Sequence, residues 1–324
     1  MAPPLLVALV GPTASGKSAL ALHLAEALAG EVVSCDALQL RQGLPILMAK
    51  PTQAERERVP HHLIDVLPLT QAGTAARYTE LADAVIAELR RRQRTVILCG
   101  GTGLYLRALT RGLFQGPPAN PAFRQALRAE AQVEGAPALH ARLQQVDPVA
   151  AMRIAPADYV RIERALEVFA ATQIPISRLQ AESQAQGPRY RVLGIGLDPG
   201  VDALRTRIWS RAAQMLKEGG VAEVAAVAAR HPDLLYPPLG YELVLRHLAG
   251  SLALPALTQE LAVLTTHYAR RQRTWFRKEP DLRWFRSAEQ IPIDALRRAL
   301  ASQYDEGARD PAAQDEALRA WQRG

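Results

Sequence analysis

The eight residues GPTASGKS, Gly11 to Ser18, carry the spacing G-x-x-x-x-G-K-[ST]. A loop of this composition turns successive backbone amides toward one anion, adds a lysine point charge and ends in a hydroxyl. The amides of Gly16, Lys17 and Ser18 are expected to meet a phosphate at a helix N-terminus, with Lys17 on the outer phosphates and the Ser18 hydroxyl in reach of magnesium. The chemistry is that of a bound di- or triphosphate. An ATP-hydrolysing site would add an acid at the end of a later strand to hold the metal. Here that strand, VILCGG, ends in glycines, and neither a water-orienting glutamine nor an arginine-finger motif stands out, which weighs against hydrolysis. The strand-end acid is instead Asp36, in SCDALQ, which is open to three uses: magnesium ligand, base toward a nucleophile, or turn aspartate. Thr102, in the GGTG turn, is either a hydrogen-bond partner for a phosphate oxygen or leaving group, or a turn threonine.

These residues need elements to hold them. LLVALV, Leu5 to Val10, is a short apolar run before the loop, and ALALHLAEALAG after it has helical spacing, giving strand, loop and helix. A second strand is expected over Glu31 to Ser34 and a third over Thr95 to Cys99, with an amphipathic helix from Tyr78 to Arg92 between them. A fourth comes in RYRVLGIGLDPG. Strands alternating with helices predict an α/β fold with a parallel sheet, a P-loop core in which ligands sit outside the carboxyl ends of the strands. The stretch 115–192, bracketed by GPPANP and GPRY, holds only helical patterns and reads as a helical insertion. The expected division is a core of 1–114 and 193–302, the insertion, and a loose polar tail over 303–324, with everything from Val201 to Trp284 helical.

A length of 324 residues suggests about two domains, since domains run roughly 100 to 200 residues. With 48% hydrophobic residues the chain can bury a sizeable core, and 39 Lys and Arg against 32 Asp and Glu leave +7, which invites a polyanionic partner. No apolar stretch approaches the ~18 residues of a membrane span. Cys35 and Cys99 lack disulfide or ligand spacing and read as buried thiols of a reducing compartment, so a cytoplasmic protein is expected. His61, His62 and Asp65 in HHLID read as structural rather than as a metal cluster.

GPTASGKS, SCDALQ, AKPT, HHLID, VILCGGTGLYL, DPVAAMRI, RIERALEVF, PLGYE and YARRQRTWFRK stand in the order and approximate spacing of the tRNA dimethylallyltransferases, also called tRNA isopentenyltransferases, and the chain resembles that family from residue 5 to about 286. The resemblance implies transfer of a dimethylallyl group from dimethylallyl diphosphate to the exocyclic amine of the adenosine 3′ of a tRNA anticodon. It places the diphosphate on Gly11, Thr13, Ala14, Ser15, Gly16, Lys17 and Ser18 with Arg211, and Mg2+ on Ser18. It makes Asp36 the general base and puts Thr102 near the reacting centre. For the anticodon stem-loop it implies Asp36, Ala37, Leu38, Gln39, Thr102, Arg124, Arg161, Arg164, Gly240, Tyr241, Arg270, Arg273 and Arg277. A monomer is expected, and the target adenosine is expected to unstack into a crevice between core and insertion.

The residues support parts of this on their own. Arg207 and Arg211 lie four apart on one helical face and can form a paired phosphate grip. Arg161 and Arg164 oppose a stripe of Tyr159, Ile162, Leu166 and Phe169, and Arg270, Arg273 and Arg277 face away from Leu264, Tyr268 and Trp275. Basic residues opposite an apolar stripe are also what a solvated helix face looks like. The chain departs from the family after Asp36: where the pattern runs D-S-x-Q-x-Y-R-G-x-D-I-G-T-A-K-P, this chain has DALQLRQGLPILMAKP, with Arg41 at the tyrosine and Pro45, Ile46, Leu47 and Met48 in place of D-I-G-T. Two rival readings are a P-loop kinase of a small metabolite or nucleoside, with Asp36 activating a hydroxyl, and an RNA-binding protein with a vestigial nucleotide site.

Overall fold

A computed structural model describes residues 3–114, 116–185, 187–304, 316 and 318–321. Its contacts divide the chain into two compact units, one built up to Thr110 and again from Arg189 onward, the other from Arg111 to Pro188. The first unit begins with β1 (Leu5–Val10), α1 (Lys17–Ala27), β2 (Gly30–Ser34), α2 (Gln53–Arg58), β3 (His61–His62), α3 (Ala75–Arg91), β4 (Thr95–Gly100) and α4 (Gly103–Arg111). The second unit is helical: α5 (Pro121–Glu134), α6 (Ala136–Val146), α7 (Pro148–Arg153), α8 (Tyr159–Thr172) and α9 (Ile176–Gln184). The chain returns to the first with β5 (Arg191–Leu197), α10 (Val201–Lys217), α11 (Gly220–Arg230), α12 (Tyr241–Leu248), α13 (Leu254–Phe276), β6 (Leu282–Phe285) and α14 (Ile293–Tyr304).

The six strands form one parallel sheet in the order β3-β2-β4-β1-β5-β6. A parallel sheet covered on both faces calls for strands apolar throughout. β1 meets that demand: Leu5, Val7 and Leu9 join the core under α1 and α14, while Leu6, Ala8 and Val10 join the opposite core with Tyr78, Ala82, Ile86 and Leu89 of α3. Strand order places the P-loop at the centre, where β1 lies between β4 and β5. β6 was expected to be helical; it is a four-residue strand paired to β5 from Gly194 with Leu282 to Leu197 with Phe285. Its shortness leaves no period to read. The insertion boundary also moves, because Arg191 and Val192 pair with Leu5 and Leu6 as the start of β5.

Helix starts follow their side chains. Thr74 accepts the Arg77 amide before α3, Asn120 accepts the Phe123 amide before α5, whose first residue is Pro121, and Asp158 accepts the Arg161 amide before α8. In the helical unit, Leu127 of α5, Leu139 and Leu143 of α6 and Ile162, Ala165 and Leu166 of α8 share one core. Beside that core, Glu167 is buried and accepts from the Asn120 amide at 2.7 Å, Arg124 at 2.8 and 2.9 Å and Arg164 at 2.6 Å. Burial opposes its ionisation, but these hydrogen bonds win and hold the Glu167 carboxyl at about 2.

The expected loose tail does not describe Trp321, which is 3% exposed in the core under α1 and α14. Its ring lies 6.2 Å from that of Phe285, the Arg283 guanidinium lies 5.3 Å from its centroid, and its Nε1 donates to the Gly194 carbonyl at 3.3 Å. Residues 305–315, 317 and 322–324 of that expectation lie outside the described residues.

Replacing Trp321 with Ala is expected to lower stability by about 3 to 5 kcal/mol, the usual range for removing a buried tryptophan, measured by urea unfolding. For Glu167 the folded pKa lies below the ordinary 4.5, so its contribution is present above pH 4.5 and is lost as pH falls toward 2. The melting-temperature difference between wild type and Glu167→Gln should therefore narrow through that window, and a constant difference would remove the carboxylate as the cause.

Candidate active site

β1 ends where the phosphate loop begins. Gly16 sits at φ 98°, a left-handed conformation that costs any other residue, and from it α1 starts at Lys17. Two arginines from α10 grip this loop. Arg207 Nη1 donates to the Ser15 carbonyl at 3.0 Å, and Arg211 Nη1 donates to Thr13 Oγ1 at 3.5 Å. Lys17 Nζ reaches the Pro12 carbonyl at 2.8 Å. Burial lowers the pKa of both Lys17 and Arg211, and the nearby Asp36 pulls both back up. Two cations held short of water at a helix N-terminus form a site that an anion would relieve.

The acid and the threonine stand at the ends of β2 and β4. These ends nearly touch: the Cys35 amide donates to the Cys99 carbonyl at 2.7 Å and the Thr102 amide to the Cys35 carbonyl at 3.1 Å. A Cβ on Gly100 would lie 2.0 Å from the Cys35 oxygen, so only glycine fits there. Asp36 uses its two oxygens differently. Oδ1 accepts the Leu38 amide at 2.9 Å and, more weakly, the Gln39 amide at 3.5 Å, while Oδ2 faces Gly101, 3.6 Å from where a Cβ there would stand. The turn reading and the chemical reading thus describe opposite sides of one carboxylate. Thr102 Oγ1 accepts the Ala37 amide at 2.9 Å, which fixes the residue after the acid.

Two residues complete the centre: Gln272, which sequence reasoning did not single out, and Tyr268, which it read as part of an apolar stripe. Gln272, buried near the end of α13, accepts the Thr13 amide at 2.7 Å through Oε1 and donates to the Gly101 carbonyl at 2.9 Å through Nε2. One side-chain amide therefore ties the phosphate loop to the glycine turn. Tyr268, one turn earlier, lines the same cavity, and burial together with the Asp36 charge pushes its hydroxyl pKa up, keeping it a proton donor. The signal was the spacing of Leu261, Thr265, Tyr268 and Gln272, a single helical face on which apolar residues give way to polar ones.

The divergent segment after Asp36 is well ordered. Arg41 is 5% exposed and donates to the Tyr236 carbonyl at 2.5 Å and to the Leu69 carbonyl, while burial lowers its pKa. Lys50 donates to the Arg41 carbonyl at 2.6 Å, to Gly43, and to Asp65 at 2.5 Å. Glu223 at the start of α11 accepts the Ile46 and Leu47 amides at 2.8 and 2.9 Å. Gln39 is part of this frame, receiving the Ser34 hydroxyl at 3.0 Å and donating to the Ala49 carbonyl at 3.0 Å. His62 pairs with buried Glu31 at 2.7 Å, and His61 Nδ1 lies 2.7 Å from the Val59 carbonyl.

A cavity of about 1030 Å³ opens over these groups, lined by Thr13, Ala14, Gly16, Lys17, Ser18, Asp36, Leu38, Gln39 and Arg211. Gly11, Ser15, Ala37 and Thr102 do not line it. The residues expected at RNA are more scattered. Arg124 and Arg164 belong to the helical unit and are bound to Glu167, and Arg161 is exposed beside Asp158 at 3.1 Å. Arg270 is exposed, but Arg273 and Arg277 both hold Asp198 Oδ2, at 2.9 and 3.0 Å, with Arg277 over the Trp284 ring. Tyr241 is 3% exposed within an apolar core, and Gly240 lies against Leu261. No helix among the described residues is long and apolar enough to cross a membrane.

A family profile described as IPP transferase matches residues 39–279, so the phosphate loop and Asp36 lie just ahead of it. A tRNA dimethylallyltransferase of Anaeromyxobacter sp. is 46% identical over 297 residues, 91% of this chain and 98% of that protein. One from Geobacter metallireducens is 44% identical over 282 residues, 86% of this chain and 91% of that protein. The crystal structure of a full-length tRNA isopentenylpyrophosphate transferase from Bacillus halodurans superposes with a TM-score of 0.67 at 32% identity, covering 98% of this chain and 99% of that one. A profile spanning most of the sequence, close relatives matched nearly end to end and a shared fold agree: the chain belongs to the IPP transferase family, the tRNA dimethylallyltransferases.

Proposed function

We propose that the cavity transfers the dimethylallyl group of dimethylallyl diphosphate to the exocyclic amine of the adenosine 3′ of a tRNA anticodon. The observation that carries this reading is the Asp36 carboxylate, anchored by one oxygen and open by the other, in the same cavity as two desolvated cations. The bond between the donor's first carbon and its diphosphate oxygen breaks, the bond from the adenosine nitrogen to that carbon forms, and the nitrogen's proton passes to Asp36 Oδ2. Lys17, Arg211 and the amides of the loop receive the charge that collects on the leaving diphosphate. Arg207 acts one step back, by holding the Ser15 carbonyl and so the shape of the loop. Thr102 acts through Ala37, setting the turn that presents Asp36.

Among the described residues no three His, Cys, Asp or Glu side chains gather as a metal site. That suits magnesium, which keeps most of its shell from water and substrate phosphates and asks the protein for one or two oxygens. The exposed Ser18 hydroxyl in the first turn of α1 and in the cavity wall is the oxygen to hold it. When bound, magnesium supplies further charge compensation to the diphosphate. The anticodon stem-loop is the acceptor, the cytoplasm is the compartment in which such an acceptor is met, and the protein acts as a monomer. The kinase reading is dropped with the family assignment, since the relatives' name describes a prenyl transfer.

The test is nucleoside mass spectrometry of an unmodified anticodon stem-loop incubated with the protein, magnesium and either dimethylallyl diphosphate or ATP. A prenyl mass on adenosine with the prenyl donor alone is the expected result. Asp36→Asn keeps the acceptor for the Leu38 amide and should retain stem-loop affinity while kcat falls about 10²- to 10⁴-fold, the usual contribution of a general base. Normal turnover in that variant removes Asp36 as the base. Binding should weaken with salt, and because Arg273 and Arg277 are already paired, Arg270→Gln should reduce the salt slope by about one ion. A slope that falls as much with Arg277→Gln alone, and not with Arg270→Gln, reverses that order.

A further inference from the structure

The cavity is graded from charged to apolar along two helices that run in opposite directions past it. At the P-loop end, Arg211 of α10 and Gln272 of α13 both hold Thr13. At the other end, a Cβ on Gly219, just after α10, would lie 3.8 Å from Ile46 Cδ1. There too a Cβ on Gly240 would lie 2.6 Å from Leu261 of α13 and 3.6 Å from Leu47. Between these ends the cavity wall carries Arg207, Ile208, Arg211, Ala212, Met215 and the Gln214–Glu218 pair along α10, and Gln272, Tyr268, Thr265 and Leu261 along α13. The apolar end is lined by Ile46, Leu47 and Met48, which with Pro45 stand where the family pattern has D-I-G-T, and Arg41, Lys50 and Glu223 hold that segment in place.

The helix sets a scale. Met215 lies one turn, about 6 Å, beyond Arg211, and Glu218 lies about 10 Å beyond it. One isoprene unit extends about 5 Å, four carbon–carbon bonds of about 1.5 Å in zigzag. A dimethylallyl chain whose diphosphate rests on Arg211 ends level with Met215 and leaves Ile46 untouched. A second unit spans the roughly 5 Å that remain toward Ile46, which lies against Gly219 and so level with Glu218, whose carboxylate is already taken by Gln214. We propose that this apolar stretch is a prenyl-chain seat two isoprene units long, so that the site accepts a ten-carbon prenyl diphosphate as well as the five-carbon donor, with Ile46 deciding between them. The inference rests on the prenyl-transfer reading above and adds the length of the donor.

The experiment gives the full chain an unmodified anticodon stem-loop, magnesium and dimethylallyl or geranyl diphosphate, separately and in competition, with nucleosides read by mass spectrometry. Adducts of one and of two isoprene units are expected, with geranyl diphosphate competitive against the shorter donor and its KM equal or lower, because a second unit leaves water. Ile46→Trp should lower the ratio of kcat/KM for the ten-carbon over the five-carbon donor at least tenfold, and Ile46→Ala should raise it. A five-carbon adduct with no competition from geranyl diphosphate at ten times the KM of the shorter donor overturns the seat and leaves the transferase reading standing. Equal ratios in wild type, Ile46→Trp and Ile46→Ala remove Ile46 as the deciding residue. No adduct from either donor overturns the transferase reading and the seat together.

Discussion

One side-chain amide holds the centre together. Parallel strands deliver their loops to one edge of the sheet, but the ladder between β1 and β4 ends at Val10 and Gly100, so it does not by itself fix the phosphate loop beyond Gly11 against the glycine turn. Gln272 does so by accepting from Thr13 and donating to Gly101. The amide has one strong acceptor and a donor pair in fixed geometry, so both partners are set at once. It is buried at the end of a helix whose other residues pack on α10, and α10 in turn supplies Arg207 and Arg211 to the same loop. Phosphate loop, glycine turn and both helices therefore form one rigid frame. The amide leaves little slack, because breaking its bond to Gly101 would strand a buried backbone carbonyl.

Within that frame the electrostatics are arranged around asymmetry. Asp36 lines the cavity, spends Oδ1 on its own turn and keeps Oδ2 beside Gly101. Lys17 and Arg211 are pulled down by burial and held up by the same carboxylate. An arriving diphosphate meets half-buried cations whose charge burial already disfavours, so pairing with it relieves them. Cys99, whose thiol burial pushes up to about 11, stays neutral beside Lys17 and adds no competing charge.

The phosphate loop, Asp36, the α10 arginines and the strands β1, β2, β4 and β5 were legible because their signals are local: an apolar run bounded by glycine, a fixed motif, a four-residue spacing; the two-residue β3 was not. What escaped depends on partners far away in sequence. Gln272 meets Thr13 across 259 residues, and its polar side chain within a helical stripe reads as noise until the loop is placed beside it. The pairing of Arg273 and Arg277 with Asp198 was out of sight because that carboxylate lies 75 and 79 residues away. The segment after Asp36 gave no period, and its shape comes from a buried arginine, a lysine and a glutamate that each seek backbone groups. β6 was too short to announce itself.

Trp321 has a consequence for the order of events during synthesis. Its indole covers the sheet face under α1 and α14 and donates to Gly194, 127 residues earlier. A ribosome that has released β1 through β6 has built the sheet, but that face stays open until residue 321 clears the exit tunnel. Until then the nascent chain must carry an unsealed apolar surface, a surface for chaperones to shield.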